Sequence, residues 1–328
     1  MTVRNLQPGT LLTSGIGLNM FSDDELEKIH LATLEILLEI GVKVDSTQAL
    51  EIFDGAGCNV NKKTRIVKIP AHLVEDAIRS CPSTFKACGR DPEKDYVCEN
   101  GRSGFVNFGE APMMIDPKTR ELRTPTKADV DEATLFLDAL DQVIVFERPL
   151  TPSDMDQEIC SLYNTKAFLN SCTKHGYIGL NSVENLRTCV KMASIVAGGE
   201  DKFRERPIFS TTCDPISPLM HSKDACDVLI EACRLGVPLK INPLGLSGAT
   251  TCMNLASTLV THNAENLSMI VLGQAVRKGH PMVYGSSTSI MDLKTGLVAM
   301  GAPEMGIFSA AIAKLAKFYR LPSWVAGG

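Results

Sequence analysis

The sequence has no Cys-x-x-Cys pair, no dense block of Lys or Arg, no complete glycine fingerprint and no long apolar run. Each absence removes a class of function. With no basic block and a net charge of −5, there is no electrostatic ground for a nucleic-acid partner. No stretch approaches the roughly 18 apolar residues of a membrane helix, and residues 1–17 lack the basic start and apolar core of a signal peptide. The chain therefore reads as cytoplasmic, with no membrane partner. Gly15-Ile16-Gly17 lacks a third glycine and a preceding strand, so no dinucleotide cofactor is indicated. Cys160, Cys189, Cys226 and Cys233 fall inside helical patterns, and the eleven cysteines read as buried free thiols rather than zinc ligands or disulfides. No metal is assigned.

The 328 residues are 44% hydrophobic and 22% charged, a balance that lets a soluble globular chain bury a large core. Near the start, Ser22 and Glu25 form a capping box. Leu26, Ile29, Ile36, Leu37 and Ile40 make a helical stripe, and Gly41 stands at the C-terminal cap. Hairpins are expected around Lys62-Lys63-Thr64 and around Asp116-Pro117-Lys118-Thr119. Residues 1–102 read as an N-terminal helix and hairpin attachment, and residues 103–328 as the main fold.

In that main fold a short apolar run, a polar loop and a long helix repeat, the rhythm of a parallel α/β sheet. The runs are 105–108, 143–146, 177–180, 208–213, 239–242, 282–284 and 324–326. Pro207, Pro238, Pro281 and Pro322 lead into four of them, ending one helix and setting an extended entry to the next strand. Ser153, Ser182 and Ser222 are placed as helix caps. Seven parallel strands predict a (β/α)8 TIM barrel with one strand outstanding, since closure takes eight. The end of the chain is accordingly expected to be a truncation, with the fragment inactive and poorly soluble by itself.

Barrel enzymes carry their chemistry at the C-terminal ends of the strands. That rule selects Glu110, Glu147 with Arg148, Asn181, Asp214, Asn242, and Tyr284 with Ser286; His221, in the segment after Asp214, joins them as a proton carrier. Glu147, Asp214 and His221 are taken as catalytic, and Glu110, Asn181, Asn242, Tyr284 and Ser286 as substrate-binding. Each has a plainer alternative: an ion pair between Glu147 and Arg148, a turn at Asp214-Pro215, a packing role for Tyr284, a polar loop residue in His221. Ser210, Thr212 and Asp214 share one face, as do Lys240 and Asn242, so the interior is wet enough for a polar ligand. Lys240 reads as a paired interior lysine. Gly245-Leu246-Ser247-Gly248 offers backbone N–H groups as a cradle for an anion, in the manner of a helix start.

The stretch Ala310-Ala311-Ile312-Ala313-Lys314-Leu315-Ala316-Lys317-Phe318-Tyr319 and the terminal Leu321-Pro322-Ser323-Trp324-Val325-Ala326-Gly327-Gly328 resemble the segment leading to pyrrolysine in trimethylamine methyltransferases. Residues 21–44 and 105–149 are similar to that family too. The resemblance implies a TIM-barrel enzyme that moves a methyl group from trimethylamine to the Co(I) centre of a cognate corrinoid protein, yielding dimethylamine for methanogenesis or another one-carbon route. It places pyrrolysine as the next residue, Gly327 and Gly328 beside that cofactor, the corrinoid (cobamide) on the partner protein, and a homo-oligomer at full length. Glu147 and Asp214 as supports for the amine come from the strand-top rule, not from a family motif. Three other functions fit parts of the sequence: a glycine betaine-type corrinoid methyltransferase without pyrrolysine, a phosphate-binding aldolase or lyase barrel built on Lys240 and the Gly245 loop, and a non-catalytic scaffold.

Overall fold

A computed structural model describes residues 21–327; Gly15-Ile16-Gly17 and Gly328 lie outside them. Seven parallel strands form one sheet: β1 (Phe105–Val106), β2 (Val143–Glu147), β3 (His175–Ile178), β4 (Phe209–Cys213), β5 (Leu239–Ile241), β6 (Met282–Ser286) and β7 (Ser323–Val325), hydrogen-bonded in sequence order from β1 to β7. The described helices are α1 (Asp23–Glu39), α2 (Thr47–Gly55), α3 (Ala71–Ser80), α4 (Lys127–Ala139), α5 (Cys160–Ser171), α6 (Val183–Ala197), α7 (Glu200–Glu205), α8 (Lys223–Leu235), α9 (Leu255–Val276) and α10 (Pro303–Phe318). This is the α/β alternation of a (β/α)8 TIM barrel, with seven of the eight strands among the described residues. The expected strand runs all recur, displaced by at most two residues at their starts. The prolines at the strand entries donate nothing but still accept: Pro281 O takes the N–H of Leu239 and Pro322 O that of Tyr284.

The chain divides into two compact units. Unit 1 gathers Lys86–Thr211 with Leu235–Val237, hence β1 to β3, most of β4, and α4 to α7. Tyr177 pairs with Glu147 on β2 and with Ser210 on β4, so these three share a face. The opposite face meets helices: Phe146 stacks on Phe168 of α5 at 5.4 Å, and a β-carbon on Gly176 would lie 2.6 Å from the Phe168 ring. The expected hairpin is present as Met114–Ile115 against Leu122–Arg123, its turn held by Asp116 Oδ1 accepting the N–H groups of Lys118 and Thr119. Ser153 corrects an expectation. Its hydroxyl donates to Pro125 O, and the helix starts only at Cys160, after a 3-10 turn capped by Asp156.

Unit 2 gathers the described residues to Phe85, Thr212–Arg234 and Pro238 onward. The Ser22–Glu25 capping box opens α1 as expected, though Ile40 falls off the buried stripe at 59% exposure. A four-stranded sheet joins Met220–His221, Val42–Val44, Ile66–Lys68 and Asn59–Asn61 in that order. At the centre of the unit α9 packs against α1, α2, α3 and α10. It is buried on every side, and its polar residues are accordingly bonded inside the protein: Asn263 donates to Thr33 Oγ1 at 2.9 Å and to the Tyr319 hydroxyl at 2.7 Å.

Candidate active site

The strand tops of unit 1 carry a zipped pair of loops. Beyond β1, the N–H of Glu110 donates to Arg148 O at 2.7 Å and that of Ala111 to Pro149 O at 3.1 Å. Asn107 binds the backbone of Glu147 on both sides. Arg148 forms an ion pair with Glu110. Two glycines leave room for two carboxylates. A β-carbon on Gly109 would stand 2.7 Å from Glu147 Oε1, and one on Gly179 would stand 2.5 Å from Glu110 Oε1. Asn181 is exposed two residues past Gly179, just before the Ser182 cap of α6.

In unit 2, Asp214 is exposed past the end of β4, and its Oδ1 accepts from the Thr212 hydroxyl at 2.7 Å. Asn242 extends β5 by donating its N–H to Cys213 O at 3.0 Å, and its side-chain oxygen accepts from the Ser287 hydroxyl at 3.2 Å. Lys240 is 6% exposed and sets its ammonium 5.0 Å from the centre of the Trp324 ring. Its stem runs across Gly285, where a β-carbon would lie 2.8 Å from Lys240 Cγ. A cation so placed gains from the ring quadrupole.

Three expected site residues are placed differently. Tyr284 is fully buried and turned toward α9, its hydroxyl donating to Asn263 Oδ1 at 2.6 Å. Ser286, two residues on and therefore on that same face, accepts the N–H of Thr288 at 3.0 Å; alternation leaves Val283 and Gly285 on the face of Lys240. His221 is not in an open loop. It lies in the strand beside Val42–Val44, fully buried, 2.8 Å from Ser268 Oγ, and burial lowers its pKa to about 4, which keeps the ring neutral. Gly327 is exposed beyond β7. The Gly245–Gly248 loop makes no open anion cradle: Leu246 N–H is spent on Thr250 Oγ1, Gly248 N–H on Thr251 O, and α9 begins only at Leu255.

The sequence argument passed over Asn107, Trp324 and Glu265. Glu265, fully buried on α9, accepts from the Ser217 hydroxyl at 2.8 Å and from the N–H of Leu219 at 2.9 Å. It thereby ties down the loop that begins at Asp214, and burial raises its pKa. Its only signal was a carboxylate in the middle of an apolar helix. Among the described residues no cluster of His, Cys, Asp and Glu is arranged to hold a metal, and no helix is long and apolar enough to cross a membrane.

A family profile described as trimethylamine methyltransferase (MTTB) matches residues 7–328. The chain is 48% identical over 323 residues to a protein of Desulfitobacterium hafniense (strain DSM 10664 / DCB-2) named trimethylamine methyltransferase MttB, covering 98% of this chain and 65% of that one. It is 39% identical over 335 residues to the protein of that name from Methanosarcina barkeri, covering 100% and 67%. A glycine betaine methyltransferase of Desulfitobacterium hafniense (strain Y51) is 28% identical over 310 residues. The chain thus spans about two thirds of the length of the curated relatives it matches. In fold it is similar to the crystal structure of the Methanosarcina barkeri monomethylamine methyltransferase (MtmB), with a TM-score of 0.61 at 14% identity over 93% of this chain and 62% of that one.

Proposed function

The chain belongs to the trimethylamine methyltransferase family, and on that premise we propose that it forms the amine-binding part of a cytoplasmic enzyme that demethylates trimethylamine. The methyl group passes to the Co(I) centre of a corrinoid carried by a partner protein, and dimethylamine is released. The observation that carries this is the family match across residues 7–328, supported by the higher identity to trimethylamine methyltransferases than to the glycine betaine enzyme.

The transfer breaks one N–CH3 bond, whose electron pair stays on nitrogen. The new bond to carbon uses the electron pair of Co(I), and the nitrogen takes up one proton before it leaves. An amine is a poor leaving group, so the residues must hold it in line and supply that proton. Glu147 is the proposed support at the strand tops of unit 1, fixed at its backbone by Asn107 and given space by Gly109. Asp214, oriented by Thr212, is the corresponding candidate in unit 2, with Asn242 near the end of β5 as a polar contact.

The test is methyl transfer by the full-length protein with its corrinoid partner, followed as dimethylamine release. Trimethylamine is expected to turn over and glycine betaine not. Glu147→Gln or Asp214→Asn is expected to lower the rate about a hundredfold. Full activity in a variant removes that carboxylate from the site, and turnover of betaine in place of trimethylamine overturns the substrate.

A further inference from the structure

Three independent features of unit 1 fix one carboxylate. Glu110 sits at φ +64°, a left-handed conformation that its β-carbon disfavours and that persists only where the surroundings enforce it. Its carboxylate pairs with Arg148, whose side chain is 11% exposed while that of Glu110 is 43% exposed. Beneath the pair stands Gly179, where a β-carbon would lie 2.5 Å from Glu110 Oε1 and 3.6 Å from Arg148 Nη2. Arg148 is itself held inside the protein, its Nε buried. The carboxylate is thus held from below and open above.

A surface glutamate with an arginine partner would reach it from an ordinary backbone. Here the chain accepts an unfavourable φ, a backbone bond from Glu110 N–H to Arg148 O and a bare glycine opposite, all directing one carboxylate to one place. Placement to within a fraction of an ångström is what a group at a reacting centre needs and what a surface ion pair does not.

We infer that Arg148 and Gly179 are positioning residues that seat Glu110 as a further carboxylate, in addition to Glu147, meeting the nitrogen of the alkylamine. The inference rests on the amine-demethylating role proposed above. Neither Arg148 nor Gly179 touches the amine; each acts through Glu110.

The test is a double-mutant cycle in the full-length protein, because coupled residues lose their effect once the shared partner is gone. Gly179→Ala and Glu110→Gln are each expected to lower kcat/KM by about tenfold or more, and the double variant to be no worse than Glu110→Gln alone. Arg148→Lys should retain more activity than Arg148→Met, at unchanged melting temperature. Losses that multiply in the double variant overturn the inference. A second readout does not need turnover: in crystal structures of the full-length protein, the Glu110 carboxylate should leave its wild-type position in Arg148→Met and in Gly179→Ala. A carboxylate unmoved in both variants overturns the seat. Full turnover by Glu110→Gln overturns the link to the amine. No methyl transfer by the wild type defeats the proposed function instead, and leaves the carboxylate position to decide on the seat. Should Gly179→Ala fail to fold, the two Arg148 variants carry the same decision.

Discussion

Asn107 holds Glu147 with both ends of its amide: Nδ2 donates to the Glu147 carbonyl at 2.7 Å, and Oδ1 accepts the Glu147 N–H at 2.9 Å. The two-residue strand β1 ends just before this point, so a side chain supplies the bonds that a longer strand would have made with its backbone. Replacing Asn107 with Ala leaves both groups unmatched and is expected to cost roughly 2 kcal/mol, seen as a lower urea midpoint. Methyl transfer by the folded fraction should fall as well, because Glu147 loses its fixed place. An unchanged midpoint would show that water replaces the amide at no cost.

Tyr284 is expected to matter for stability rather than for the amine. Tyr284→Phe leaves Asn263 Oδ1 without its donor in a fully buried position, at a cost of about 1–3 kcal/mol. KM should not move. A raised KM at unchanged stability would return Tyr284 to the substrate.

Acid should weaken the fold in a defined window. Burial lowers the pKa of His175 and His221 to about 4 and of His262 to about 3, while in the unfolded chain each titrates near 6.5. Between those values the unfolded state binds more protons, so stability rises with pH there. The contribution is complete above about 6.5 and is lost as pH falls toward 4. Glu265, raised by burial, acts in the opposite sense above its ordinary value, one group against three. Urea midpoints should drop steeply from pH 7 to pH 5, and less steeply in His221→Asn. A flat profile across that range contradicts the buried neutral rings.

Thiol reactivity should be confined to one site. Cys252 is the exposed cysteine of the eleven, nine are buried, and Cys98 is intermediate, its pKa pushed to about 12 by burial. An aromatic disulfide reagent at pH 8 is expected to modify Cys252 quickly, and the other ten only on unfolding, since the thiolate is the reacting form. A second fast thiol in the native protein would mean that part of the core opens on the timescale of the reaction.

Much of this was legible before the fold. The capping box at Ser22 and the strand runs ending in polar residues depend on contacts within a few residues of one another, so local sequence reports them. Ser153 misled because a serine before an acidic residue also fits a loop, and Asp156 capped a turn closer to the true helix start.

By itself the sequence determined the βα order, the polar residues at the strand tops and the membership carried by the stretch from Ala310 to the end. Only the tertiary structure decided which face each strand turns inward and who pairs with whom. Period-two alternation sorts Tyr284 and Ser286 from Gly285 but gives both sets equal standing; the amide of Asn263, on a helix distant in sequence, settles that Tyr284 faces α9. In the same way the ion pair of Arg148 with Glu110 exists only because folding brings the residues after β1 and β2 side by side.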